Sequence, residues 1–125
     1  LAGVPVVTAA GAAREACAAL GLRRVAVATP YGAASNGIVA RYLASIGVEV
    51  AAIRGLDLDR SPEVWKREVP ALTPEQVCEL GQSIDGPAVE ALYLPCTGLA
   101  SIEAIELWER RTGKPAFSSV QAGFW

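Results

Sequence analysis

The chain has 125 residues, is 52% hydrophobic and carries a formal net charge of −2. That length suits one domain around a single core, and the slightly acidic balance argues against nucleic acid or an anionic membrane surface, both of which need clustered Lys and Arg. Histidine is absent, so Ser-His, Cys-His and His-metal chemistry are not available within the chain.

In chain order, Thr8 reads as an N-cap and AAGAAREACAALG as a helix ending at Gly21, with Cys17 and Leu20 on a spaced face. RRVAVAT (23–29) is a short β-branched apolar run, a buried strand that Pro30 stops. NGIVARYLASIG (36–47) places Ile38, Tyr42, Leu43 and Ile46 at helical spacing before Gly47. VEVAAI (48–53) is a second strand. Residues 54–72 carry Gly55, Asp57, Asp59 and Pro62 and read as irregular, with one short helical turn around Trp65. Thr73-Pro74-Glu75-Gln76 is a helix start with Thr at the N-cap, Pro at the first helical position and Gln at the capping-box position. That helix runs to about Ser83. VEALYLP (89–95) is a third strand, LASIEAIELWERRTG (99–113) an amphipathic helix closed by Gly113, and KPAFSS (114–119) a fourth strand. VQAGFW starts a further helix. The pairs Arg23-Arg24 and Arg110-Arg111 fall at predicted helix ends, where cations complement the helix dipole.

Strands alternating with helices predict an α/β fold: a three-layer Rossmann- or flavodoxin-like sandwich over a four-stranded, mainly parallel sheet, in one domain covering 1–125. No repeat of solenoid period is present. No run is long and apolar enough to span a bilayer. The first 13 residues are apolar but hold Gly and Pro and no basic start, a weak match to a signal peptide. The three cysteines, Cys17, Cys78 and Cys96, are odd in number and far apart, which fits neither a disulfide framework nor a metal site. A cytoplasmic location with reduced thiols is the expectation. The chain starts at Leu1 and contains no Met, which leads us to expect a processed chain or a piece of a longer one.

In open α/β sheets ligands bind beyond the carboxyl ends of the strands. Those positions hold Thr29-Pro30-Tyr31-Gly32, Arg54-Gly55, Pro95-Cys96-Thr97-Gly98 and Ser118-Ser119-Val120-Gln121. Cys96 also precedes a predicted helix, whose free N–H groups and dipole would stabilise a thiolate or a bound carboxylate and lower the thiol's pKa. The plain alternative is a small buried residue at a strand end. Cys17 and Cys78 lie mid-helix without polar company and read as packing. Tyr31 is either a core aromatic or a phenol aimed into the cleft, the latter favoured by its place after Thr29-Pro30. Asn36 is either the N-cap of the following helix or a site residue. Trp65, Trp108 and Trp125 read as packing. The glycine-rich dinucleotide and P-loop signatures are absent.

"ATPY", a following helix with Asn36, "LPCTGL" and "GKPAFSSVQAGFW" together resemble the C-terminal half of the aspartate/glutamate racemase superfamily. The maleate cis-trans isomerases and arylmalonate decarboxylases are the most similar branches. The resemblance runs in order through nearly the whole chain. It implies a cofactor-free enzyme of two pseudo-symmetric α/β halves, each with one cysteine at the equivalent strand end, holding a small mono- or dicarboxylate between them. By that resemblance Cys96 is the catalytic thiol of this half. The N–H groups of Thr97 and Gly98 would bind a carboxylate oxygen and Tyr31 would hydrogen-bond a substrate carboxylate; Thr29 and Asn36 are further substrate-binding candidates. The implied partners are the substrate and an N-terminal half carrying a second cysteine. Apolar outer helix faces would also make a homodimer unsurprising. The chain departs from the family in two ways. Glutamate racemases carry a His in the cysteine motif, which is missing here. The maleate isomerases carry a substrate-binding Asn after the second strand, where this chain reads Asp59-Arg60-Ser61-Pro62. Isomerase, racemase and decarboxylase chemistry on a related acid all stay open.

Overall fold

A computed structural model describes residues 3–58 and 61–125. The expectation at Asp59 and Arg60 lies outside the described residues.

The helix signals in the sequence act where they stand. Helix α1 spans Ala9–Ala19, and the Thr8 hydroxyl accepts the Gly11 N–H at 3.0 Å. Helix α4 spans Pro74–Gln82 behind a complete capping box between Thr73 and Gln76. Gly21, Gly47 and Gly113 take φ of +64°, +81° and +69°, the left-handed turn that ends a helix and that a Cβ disfavours. Between these helices run strand β1 (Arg24–Thr29), helix α2 (Ala33–Ser45), strand β2 (Glu49–Gly55), helix α3 (Pro62–Glu68), strand β3 (Ala91–Leu94), helix α5 (Ser101–Thr112), strand β4 (Ala116–Ser118) and helix α6 (Ser119–Phe124).

The four strands are parallel and lie in the order β2-β1-β3-β4. Alternation along the strands divides the core in two. Ala26, Ala28, Leu92 and Leu94 pack with Val77 and Cys78 of α4 and Ala104, Ile105 and Trp108 of α5. Val25, Val27, Tyr93 and Phe117 pack with Ala12, Ala13 and Cys17 of α1, Leu43 of α2 and Ala122 of α6. Each fully buried Val or Leu contributes roughly 1.5–3 kcal/mol of transfer free energy, so both layers hold the sheet. The result is the expected three-layer α/β sandwich.

Local details differ from the sequence reading. Helix α2 starts three residues earlier than expected, with Gly32 as its N-cap. Asn36 is therefore a buried residue inside α2 and not its cap. Residues around Trp65 form a helix of 7 residues, α3, in place of one turn. Arg23 and Arg24 do not close a helix, because α1 ends at Ala19. They open β1, and their backbone N–H groups reach Glu90 Oε2 at 2.7 and 2.8 Å. Arg110 and Arg111 do sit in the last turn of α5.

Candidate active site

The order β2-β1-β3-β4 makes the connections after β1 and β3 leave to opposite sides, which opens a crevice at their carboxyl ends. The loops lining it are Pro30–Gly32 and Pro95–Ala100. Tyr31 spans it: its hydroxyl donates to the Pro95 carbonyl at 3.1 Å. The two stretches singled out in the sequence therefore meet.

Thr29 ends β1 and is fully buried. Its hydroxyl donates to Asn36 Oδ1 at 2.7 Å and accepts the Tyr31 N–H at 3.1 Å. The Asn36 amide in turn donates to the Tyr31 carbonyl at 3.5 Å. Thr29 and Asn36 thus fix the backbone of Tyr31 from below, and no surface of Thr29 is left for a ligand. The segment after β2 completes the frame: Leu56, Asp57 and Leu58 donate their N–H groups to the carbonyls of Thr29, Tyr31 and Pro30. Gly55 makes this approach possible. A Cβ there would overlap the Tyr31 carbonyl oxygen and press on Asn36 Nδ2.

Cys96 follows Pro95, is 4% exposed and packs in the same cluster as Val69 and Leu99. Helix α5 starts only at Ser101, so four residues separate the thiol from the helix. Cys96 does not sit at the first turn, and the dipole argument from sequence loses its geometry. A tight turn takes its place, with Leu99 N–H directed at the Cys96 carbonyl at 3.5 Å and Ser101 N–H at the Leu99 carbonyl at 2.8 Å. Thr97 and Gly98 form the exposed tip of this turn. Among the described residues their N–H groups find no acceptor in the chain, as an oxyanion site requires. Gly98 lies under α3: a Cβ there would stand 3.1 Å from Val69 Cγ1.

The other candidates separate from this group. Ser118 caps α6 by accepting the Gln121 N–H at 3.2 Å, and Ser119 bonds the Tyr93 hydroxyl at 3.1 Å. Burial pushes the Cys17 thiol above its ordinary value. Burial also pushes Cys78 up, opposed by the Arg111 guanidinium. The expectation that Cys78 lacks polar company is corrected: Arg111 Nη1 lies 3.7 Å from its sulfur and Gln82 Oε1 3.8 Å. Raised thiols are poor nucleophiles at neutral pH. Among the described residues no cluster of His, Cys, Asp or Glu could hold a metal ion, and no helix is long and apolar enough to cross a membrane. An apolar groove of about 400 Å³ between Ala16, Leu20, Phe117, Ala122 and Trp125 runs along the β4 edge and does not include Cys96. The crevice, unlike this groove, is where Tyr31 meets the carbonyl of Pro95, the residue before Cys96.

Two contributors were not assigned to the site from the sequence. Gly55 had a signal, since a glycine directly after a strand often marks close backbone approach. Trp65 had none beyond its place between the second strand and α4. Its ring stacks on Tyr31 with centroids 5.7 Å apart and planes 7° from parallel.

The sequence profile of the arylmalonate decarboxylases matches residues 1–125. The chain belongs to the arylmalonate decarboxylase family. It is 35% identical over 123 residues to the arylmalonate decarboxylase of Bordetella bronchiseptica, an alignment covering 98% of this chain and 50% of that protein. A cysteine-to-alanine variant of the maleate isomerase from Pseudomonas putida S16, crystallised with maleate, superposes with a TM-score of 0.89 at 31% identity, covering 99% of this chain and 48% of that one. A cysteine-to-serine variant of the Nocardia farcinica maleate cis-trans isomerase, with a covalently bound succinylcysteine intermediate, gives a TM-score of 0.82 at 32% identity, covering 92% and 45%. The chain spans about half the length of the curated relatives it matches. The likeness to this family and to maleate isomerases therefore agrees with the resemblance read from the "TPY" and "PCTGL" stretches.

Proposed function

We propose that the chain is the C-terminal half of a two-domain, cofactor-independent enzyme that acts on a small mono- or dicarboxylic acid through the Cys96 thiol. The observation that carries this reading is the meeting of Tyr31 with the Pro95-Cys96 peptide at the switch point, beside the free N–H groups of Thr97 and Gly98. The second cysteine belongs to the other half. Neither Cys17 nor Cys78 supplies it: Cys17 is buried on the opposite face of the sheet, and the Cys78 sulfur is buried in α4 beside Gln82 and Arg111.

The groups present define the chemistry. Thr97 and Gly98 N–H groups offer two donors to one carboxylate. The Tyr31 hydroxyl has a single proton, now given to Pro95, and a substrate carboxylate competes for it. In an isomerase cycle a thiolate adds to the carbon–carbon double bond and the electron pair moves onto the adjacent carboxylate. The resulting single bond rotates, and elimination returns the thiolate with the trans alkene. Two moderate barriers replace one high one. Charge accumulates on the carboxylate oxygens, where preset donors stabilise it most. The succinylcysteine seen in the Nocardia farcinica isomerase supports thiol addition as the first step. The family match across residues 1–125 favours a second reading, decarboxylation. There the bond to the leaving carboxylate breaks, its electrons form an enediolate, and the Cys96 S–H delivers its proton to the α-carbon. A reduced cytoplasmic setting suits either reading, since the described cysteines are all free thiols.

The test uses the intact gene product. In heavy water it is incubated separately with maleate, an arylmalonate and one enantiomer of aspartate, and each reaction is followed by proton NMR. Fumarate formation without added cofactor supports the isomerase. Loss of carbon dioxide with deuterium at the α-carbon supports the decarboxylase, and deuterium exchange in aspartate supports a racemase. Turnover that survives Cys96→Ala would sink the assignment.

A further inference from the structure

The chemistry above leaves Trp65 without a task. Its indole stacks parallel and offset against the ring of Tyr31, and the Tyr31 hydroxyl donates to the carbonyl of Pro95, the residue before Cys96. The same helix ends at its C-cap Val69, which is buried close to Gly98 of the cysteine turn: a Cβ on Gly98 would stand 3.1 Å from Val69 Cγ1. Helix α3 therefore meets the turn twice, once through Tyr31 and once directly.

We propose that Trp65 is a positioning residue: by covering Tyr31 it holds the phenol on the Pro95 carbonyl and keeps the Cys96 turn closed. The inference rests on reading Cys96 as the reactive thiol, but its test reads that thiol and not turnover. The physical argument has three steps. A phenol without a neighbour swings about its side-chain torsions and carries its hydroxyl away from any one acceptor. A parallel aromatic neighbour removes those rotations. Proline already fixes its own φ, so anchoring its carbonyl fixes the direction in which the chain leaves towards Cys96. Because Cys96 is only 4% exposed, a reagent reaches it when the turn opens. Loosening the stack or removing the hydroxyl should raise the opening frequency.

Iodoacetamide alkylation of the intact protein, resolved by peptide mass spectrometry, measures this directly. Cys17, buried on the opposite face of the sheet, and Cys78, held in α4 beside Gln82 and Arg111, are internal references. Trp65→Leu and Tyr31→Phe should each speed Cys96 alkylation by about fivefold or more, while the reference thiols stay within about twofold. Trp65→Phe keeps a stacking ring and should stay within about twofold of the parent. The double variant should react no faster than Tyr31→Phe alone, because both changes break one latch. An unchanged Cys96 rate in either single variant overturns the proposal. So does a double variant that adds the full Trp65 effect to that of Tyr31, or a parallel rise at all three cysteines. If the parent turns over no acid yet shows the expected pattern, the functional reading fails and the latch stands. If it turns over acid with a Cys96 rate indifferent to Trp65→Leu, the latch fails alone.

Discussion

The two ends of the sheet are built from different chemistry. At the amino end, charges meet in full. Glu90 accepts the N–H groups of Arg23 and Arg24, the Arg24 guanidinium pairs with Glu49 at 2.9 Å, and Lys114 bridges Asp85 and the Gly86 carbonyl at 2.6 and 2.8 Å. At the carboxyl end the side chains that bond one another are neutral, and the Asp57 carboxylate lies beside Gly32. Thr29, Asn36 and Tyr31 bond one another, and the turn after β3 holds the buried Cys96 and, among the described residues, two N–H groups without an acceptor. Saturated polar groups stabilise a fold but offer nothing to a ligand. Unsaturated N–H groups on a fixed frame offer both donors and position, so the contrast separates the end that stabilises from the end proposed to react.

The contrast breaks most sharply at the thiol. Cys96→Ala should lower turnover by about a thousandfold or more, the range expected when a covalent or proton-transferring group is removed. Its melting temperature should stay near that of the parent, since one small side chain is lost. Cys78→Ala, also a buried cysteine, should keep turnover within about threefold, because its sulfur sits beside Gln82 and Arg111 in the α4–α5 layer and not in the turn after β3. Steady-state kinetics and a thermal melt of each variant decide the matter. Equal losses in both would remove the distinction.

The frame comes next. Gly55→Ala forces a methyl into the Tyr31 carbonyl, and backbone cannot yield as a flexible side chain can. A loss of about 3 kcal/mol is expected from the overpacking, together with most of the activity. Denaturant titration and kinetics on the same sample would show both. Thr29→Val keeps the shape but strands Asn36 Oδ1 and the Tyr31 N–H, at about 1–2 kcal/mol. Thr29→Ser keeps both bonds and should recover most of that loss. A Val variant as stable as the parent would mean that the network does not brace the crevice.

Much of this end was legible from residue types at strand termini. "ATPY" and "PCTGL" named the two loops, and their meeting follows once the strands are parallel. The helix stops at Gly21, Gly47 and Gly113 were equally plain, because only a left-handed residue ends those helices cheaply. Three things were not legible. The order β2-β1-β3-β4, which puts β1 beside β3, is a tertiary choice that no local pattern encodes. Asn36 looked like a cap because Asn favours that position, yet Gly32 starts the helix and Asn36 turns inward to Thr29. Trp65 gave no periodic signal, since a helix of 7 residues is too short to show one.

The amino end supplies the smallest effect. Glu90 has its carboxyl held below the ordinary range, first by the Arg23 N–H, then by the Arg24 N–H, with desolvation opposing. A depressed folded-state pKa contributes stability that is present above the unfolded value and is lost as pH falls through the folded one. Stability from this group should thus be constant around neutrality and fall only on the acid side of the ordinary carboxylate range, about pH 4 and below. Glu90→Gln removes the titration while keeping an oxygen acceptor for the two N–H groups. The variant should be slightly less stable than the parent at pH 7, and the gap should close as the pH is lowered. Chemical denaturation of both proteins across that range reads the gap. Turnover of the variant at pH 7 should match the parent, because this carboxylate anchors β1 and β3 at the end of the sheet opposite Cys96. A change in turnover without a change in stability would show that the two ends communicate, and the division between them would have to be redrawn.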